Sequence, residues 1–164
     1  MIRSATAADA QAICSIYNHF ILQSTATFEE TAIRPDDMAA RIDALSGRLP
    51  FLVAVLDGAV AGYAYAAPWK SRSAYRHTVE SSVYIAPGFA GMGLGSRLVQ
   101  ALLQALRERD VHAVLAGIVL PNSASIGLHE AFGFTQAGQM REVGRKFGQW
   151  LDVGYWQLVL APQP

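Results

Sequence analysis

Thr78-Val79-Glu80-Ser81-Ser82-Val83-Tyr84-Ile85 and, shortly after it, Ala90-Gly91-Met92-Gly93-Leu94-Gly95-Ser96 decide how this chain folds. The first segment belongs to a strand over His77–Ile85. Its alternation puts Val79, Ser81, Val83 and Ile85 on one face and Glu80, Ser82 and Tyr84 on the other. The second segment opens the strongest helical run, Gly93 to Arg109, with Leu94, Leu98, Leu102 and Leu106 at four-residue spacing. Glycines at alternate positions between a strand and a helix strip away side chains. Backbone N–H groups can then converge on an anion at the positive end of the helix, and a pyrophosphate is the natural guest. An ordinary glycine-rich helix entry is the plain alternative. The spacing is G-x-G-x-G rather than the dinucleotide fingerprint, and no Gly-Lys-Ser/Thr follows, which excludes a P-loop.

Outward from this core, Ile2–Ser4 reads as a short strand, and Thr6 with Asp9 reads as a helix entry of capping-box type. Ile13, Ile16, Tyr17, Phe20 and Ile21 then recur as on one helix face. Pro35-Asp36-Asp37 starts a second helix that runs to Leu45 and stops at Gly47. Phe51–Leu56 and Val60–Ala67 form a hairpin about Asp57-Gly58. Beyond the central helix come a strand over Val111–Val119, a helix over Asn122–Phe132, and strands over Phe134–Val143 and Val153–Leu160. The order is that of an α/β (α+β) fold with helices on both faces of a mixed sheet. Residues 1–160 read as one domain and residues 161–164 as a short tail.

Thirteen basic residues balance thirteen acidic ones, so no global field steers the chain of 164 residues toward nucleic acid or an anionic membrane. No apolar run approaches the roughly 20 residues that span a bilayer, and no signal-like segment opens the chain. The cytoplasm is the expected location. Cys14 is expected to pack in the core, and the four histidines show no metal-ligand spacing, so no metal is expected.

The glycine segment resembles the acyl-CoA signature of the GNAT acetyltransferases, Q/R-x-x-G-x-G/A: Gly93 and Gly95 match, with Ala90 where the family carries Gln or Arg. Pro68-Trp69-Lys70-Ser71-Arg72-Ser73-Ala74-Tyr75, Thr78 to Ile85, Leu120-Pro121-Asn122, Leu128-His129-Glu130-Ala131 and Lys146 to Gly154 resemble the phosphinothricin N-acetyltransferases in the same order. The resemblance implies a central sheet of about seven strands flanked by about four helices. It also implies acetyl-CoA as cosubstrate and a homodimer. The implied activity is N-acetylation of phosphinothricin, methionine sulfoximine or a similar amino-acid-like acceptor, with herbicide resistance as a possible by-product. A protein or peptide acetyltransferase and a silent CoA-binding sensor are the rival readings.

The resemblance places the catalytic base at Glu80; the alternative is a carboxylate paired with Arg72 or Arg76. His129 falls where many family members carry a proton-donating tyrosine, and otherwise reads as a capping or core histidine. Val83, Tyr84, Ile85, Gly91, Met92, Gly93, Leu94, Gly95, Ser96, Asn122 and Ser125 are expected to hold the cosubstrate, with Asn122 also serving as a helix N-cap. Phe28, Lys70, Arg72, Tyr75, Arg76, Tyr84 and Val153 are expected at the acceptor, where cationic groups would meet a carboxylate or phosphinate. Lys70 and Arg72 otherwise read as a solvated loop.

Overall fold

The computed structural model describes residues 1–160, and the tail expected over residues 161–164 lies outside them. The elements run β1 (Ile2–Ser4), a 3₁₀ turn (Ala7–Asp9), α1 (Ala10–Gln23), α2 (Pro35–Leu45), β2 (Phe51–Leu56), β3 (Ala59–Pro68), a second 3₁₀ turn (Ser73–Tyr75), β4 (Thr78–Ile85), α3 (Leu94–Arg107), β5 (Ala113–Val119), α4 (Ser123–Glu130), β6 (Thr135–Lys146) and β7 (Gln149–Val159). This is the order expected from the sequence. Among these residues no helix is long and apolar enough to cross a membrane.

Local chemistry explains the entries and turns. Asp9 accepts from the Thr6 backbone N–H at 2.8 Å and from both terminal nitrogens of Arg3 at 2.8 Å, which ties β1 to the start of the first helical segment. Thr6 and Asp9 form the expected capping box, and the Thr6 hydroxyl also donates to Asp9 at 3.1 Å. Asp57 and Gly58 both adopt positive φ, +49° and +80°, as the hairpin turn demands.

Strand parity builds two layers. Leu52, Ala54, Ala64, Ala66 and Val79 face α3, whose Leu94, Leu98, Leu102 and Leu106 are buried with them. Phe51, Val53 and Tyr63 face α1 and α2. Each buried leucine of α3 contributes roughly 1.5–3 kcal/mol relative to exposure.

The seven strands lie in the order β1-β2-β3-β4-β5-β7-β6. All neighbours are antiparallel except β4 and β5, which run parallel and pair only through Thr78↔Ala113, Val79↔Val114 and Glu80↔Leu115. The next bond is made by a side chain, the Ser81 hydroxyl donating to the Leu115 carbonyl at 3.2 Å. Beyond it the two strands part.

The C-terminal hairpin is longer than expected. β6 continues past Val143 to Lys146 and β7 begins at Gln149 rather than Val153, joined through Phe147 and Gly148 at φ +50° and +75°. Arg145, Gln149 and Trp150 are exposed here while Lys146 and Leu151 are buried, and a lysine on the inward face breaks the apolar alternation that would mark a strand in the sequence. An irregularity between Met140 and Gly144 is held by Asp152, which accepts from the Glu142 N–H and the Gln139 amide at 2.8 Å each.

Candidate active site

Where β4 and β5 part, a cleft of about 310 Å³ opens. Ser81 to Ile85 form one wall and Ala116 to Val119 the other, with Asn122, Ser125, Leu128 and His129 of the α4 segment closing it. The β4 edge from Ser81 onward has a strand partner on its β3 side alone, so its other row of main-chain donors and acceptors faces the cleft. Asn122 caps α4, its Oδ1 accepting from the Ser125 N–H at 3.1 Å, which leaves the carboxamide NH₂ directed to other partners. Ala90 also borders the cleft, at the Ile85 end where the glycine loop begins. Gly91 and Gly93 hold φ of +77° and +74°, a conformation other residues rarely take, and Gly93 sets the first turn of α3 with its unpaired N–H groups. Gly95 differs in role: a Cβ there would lie 3.3 Å from Leu128, so this glycine lets α3 approach α4.

A second pocket of about 390 Å³ lies beside the cleft on the α1 side of the sheet. Glu80, Ser82 and Tyr84 form its floor, as strand alternation requires, together with Tyr65 and Ala67 of β3. Thr27 and Phe28, from residues 24–34, cover it, while Val153 and Tyr155 of β7 close the far side. The cleft and the pocket share Ala26, Ser82, Tyr84, Gly117 and Val119, so they meet through the gap between the strands. Tyr84 is fixed there by Tyr63, stacked at 5.3 Å, and by Tyr17, edge-on at 5.3 Å.

Glu80 is the one carboxylate in the pocket wall. Burial raises its pKa above the usual carboxylate value, and the positive charge of Lys70 pulls weakly the other way. Neither Arg72 nor Arg76 pairs with it among the described residues, whose ion pairs lie elsewhere. Opposite Glu80 stands Gly117, where a Cβ would fall 2.9 Å from Oε1. Burial also raises the pKa values of Tyr17, Tyr65 and Tyr84, keeping them neutral phenols.

The expected site residues thus separate into groups. Val83, Tyr84, Ile85, Asn122, Ser125 and His129 line the cleft, while Phe28, Glu80, Tyr84 and Val153 line the pocket. Gly91, Met92, Gly93, Leu94, Gly95 and Ser96 follow Ala90 without forming part of the cleft wall. Lys70, Arg72, Tyr75 and Arg76 lie on an exposed segment outside the pocket wall, with Lys70 over the Trp69 ring at 5.0 Å. Trp69 meets Tyr155 edge-on at 5.3 Å and connects that segment to the pocket. His129 is buried, and burial lowers its pKa although its bond to the Ser125 carbonyl opposes the shift. Nδ1–H donates to Ser125 O at 2.8 Å, so the neutral ring presents Nε2 as an acceptor. The sequence reading did not single out Gly117, Tyr65, Tyr155, Thr27 or Tyr17. Gly117 alone carried a signal, a glycine inside an aliphatic strand, which marks close approach of another group.

The family model described as an acetyltransferase (GNAT) domain matches residues 2–154. The chain is 47% identical to a phosphinothricin N-acetyltransferase of Streptomyces viridochromogenes, over 99% of this chain and 91% of the relative. It is 43% identical to an L-methionine sulfoximine/L-methionine sulfone acetyltransferase of Salmonella typhimurium, over 97% of this chain and 94% of the relative. Among solved structures, an acetyltransferase from Salmonella typhimurium with its cofactor acetyl-CoA superimposes with a TM-score of 0.96 at 41% identity, over 100% of this chain and 95% of the other.

Proposed function

The chain belongs to the GNAT acetyltransferase family, and on that footing we propose that it acetylates the amino group of a small amino-acid-like acceptor from acetyl-CoA, with Glu80 as general base. Phosphinothricin and methionine sulfoximine are the leading acceptors, after the activities named for its relatives. The observation that carries the reading is a half-buried carboxylate, unpaired among the described residues, in the acceptor pocket beside the gap into the cleft.

The residues of the cleft suit acetyl-CoA. The unpaired edge of β4 offers main-chain groups to the amides of its pantetheine arm, as an added strand would. The Asn122 carboxamide lies along the same wall. With Ala90 in place of Gln or Arg, the pyrophosphate relies on backbone N–H groups of Gly91 to Ser96. When bound, acetyl-CoA supplies an acetyl group activated as a thioester.

The acceptor arrives as an ammonium ion. Glu80 takes one of its protons, directly or through one water, and a raised pKa makes it the stronger base. Neutral phenols at Tyr65 and Tyr84 offer hydrogen bonds around it without competing for the proton. Cys14 is buried in α1 with Sγ on the Ile33 carbonyl, which supports direct transfer without a thiol intermediate. His129 serves as a wall of the cleft that fixes α4, with its bond to Ser125 O as the brace. The cover formed by Thr27 and Phe28 favours small acceptors over a peptide chain.

We further propose a homodimer through the β6–β7 hairpin, where Met140, Val143, Phe147 and Trp150 are each half exposed or more. The mass in solution tests it: a monomer at micromolar concentration would refute it.

A panel of free amino acids and analogues with acetyl-CoA, read by thiol release, tests the activity. Glu80→Gln should lower kcat by roughly 10²–10⁴ at neutral pH while sparing acetyl-CoA binding, with the defect easing as pH rises and the acceptor arrives deprotonated. Near-wild-type kcat in Glu80→Gln would remove the base from this carboxylate.

A further inference from the structure

We infer that Lys146 is a positioning residue for the acceptor: from β6 it ties down the connection between α1 and α2 that carries Thr27 and Phe28 over the acceptor pocket. This rests on the acceptor assignment made above.

Lys146 is 2% exposed, and no carboxylate lies within ion-pair distance of it among the described residues. Its Nζ donates instead to two main-chain carbonyls, Ser24 O and Thr27 O, both at 2.7 Å. Burying an ammonium without a counter-ion is costly, and a methionine or leucine would fill the same space more cheaply. What the charge secures is a joint between segments about 120 residues apart in the chain, through residues 24–34, which have no helix or strand of their own. Thr27 is gripped from two sides. Its carbonyl is held by Lys146, and its hydroxyl lies 2.8 Å from the Tyr17 hydroxyl of α1. Next to it the Phe28 ring rests on Gly144, where a Cβ would come within 2.2 Å of the ring. Both side chains border the pocket that contains Glu80. Lys146 itself touches neither the cleft nor the pocket, so it acts through this loop.

The test is Lys146→Met, which keeps the length of the stem and removes the donors. Three quantities are read: the acceptor KM, acetyl-CoA affinity by calorimetry, and amide exchange across residues 24–34. We expect the acceptor KM to rise about tenfold or more, exchange in that segment to quicken, and acetyl-CoA affinity to stay within about twofold. A merely structural role would lower Tm and the active fraction without separating KM from acetyl-CoA affinity. A folded variant whose acceptor KM stays within about twofold, or whose acetyl-CoA affinity falls in step, overturns the proposal. Should Lys146→Met fail to fold, Lys146→Leu carries the same criteria, because it too lacks the donors to Ser24 O and Thr27 O. Wild-type protein that turns over no acceptor refutes the functional reading instead. The exchange measurement then still judges the tether, and unchanged exchange sinks it.

Discussion

Replacing Gly117 by alanine separates the position of Glu80 from the stability of the fold. Gly117 lies in β5 opposite Tyr155 of β7, with an extended backbone that any residue can adopt. On backbone grounds alone alanine should stabilise this strand by roughly 0.5–1 kcal/mol. Its methyl carbon, however, would stand 2.9 Å from Glu80 Oε1 and 3.2 Å from the Tyr155 ring. The carboxylate is the far end of a flexible side chain and can swing away cheaply, so the fold hardly suffers. The base proposed at Glu80 does, because proton transfer needs heavy atoms at about 2.6–3.2 Å. Relieving the contact takes a shift of about half an ångström, and a misplacement of about 1 Å can cost about 10²-fold. We therefore predict that Gly117→Ala lowers kcat by about 10–100-fold with Tm unchanged or slightly raised. Thiol-release kinetics and a thermal melt measure the two quantities. The double variant with Glu80→Gln should be no slower than Glu80→Gln alone, since the base can be lost only once. A Gly117→Ala enzyme with kcat within about twofold of wild type, or losses that multiply in the double variant, would refute the reasoning.

Other perturbations test the neighbouring elements. Glu80→Gln should be more stable than wild type at neutral pH. A carboxylate whose pKa is raised by burial favours the folded state while protonated and loses that advantage as pH rises through its folded pKa, so the gain in Tm should vanish below about pH 4. Asp9, drawn down to about 2 mainly by its hydrogen bond to Arg3, behaves in the opposite sense. Its contribution of roughly 1–2 kcal/mol is present above the ordinary carboxylate pKa and lost as pH falls toward 2, so Asp9→Asn should flatten the acid limb of a denaturation curve. Gly93→Val forces a branched side chain to φ +74° at the start of α3 and should weaken acetyl-CoA binding about tenfold or more by calorimetry. Gly95→Val should lower Tm through its contact with Leu128, as Gly93→Val does through backbone strain, but with the smaller loss of acetyl-CoA affinity; an equal loss of affinity in both variants would contradict this division.

Buried alternation made much of the molecule legible. The parity of Val79 to Ile85 located Glu80 and Tyr84 on one face, and the leucines of α3 fixed the opposite layer. Where burial did not impose a pattern, sequence reading faltered. The hairpin turn at Phe147 and Gly148 follows a buried lysine rather than an apolar residue, and a phenylalanine at positive φ is no ordinary turn signal. The motif around Lys70 and Arg72 was recognised, but its side chains lie exposed beside the pocket wall, because position in a motif does not specify where a flexible side chain points. Thr27 and Lys146 are brought together by tertiary packing alone, and nothing local in either segment announces the contact.

The early parting of β4 from β5 divides labour within single residues. From Ser81 to Ile85 the peptide groups unpaired on the β5 side border the cleft, while Glu80, Ser82 and Tyr84 line the pocket. Recognition through peptide groups is indifferent to which side chain they carry. On the function proposed above, a substitution on the pocket face can retune the acceptor preference while the main-chain hold on the acetyl donor is kept, so one scaffold can diversify its choice of amine without rebuilding its grip on the donor.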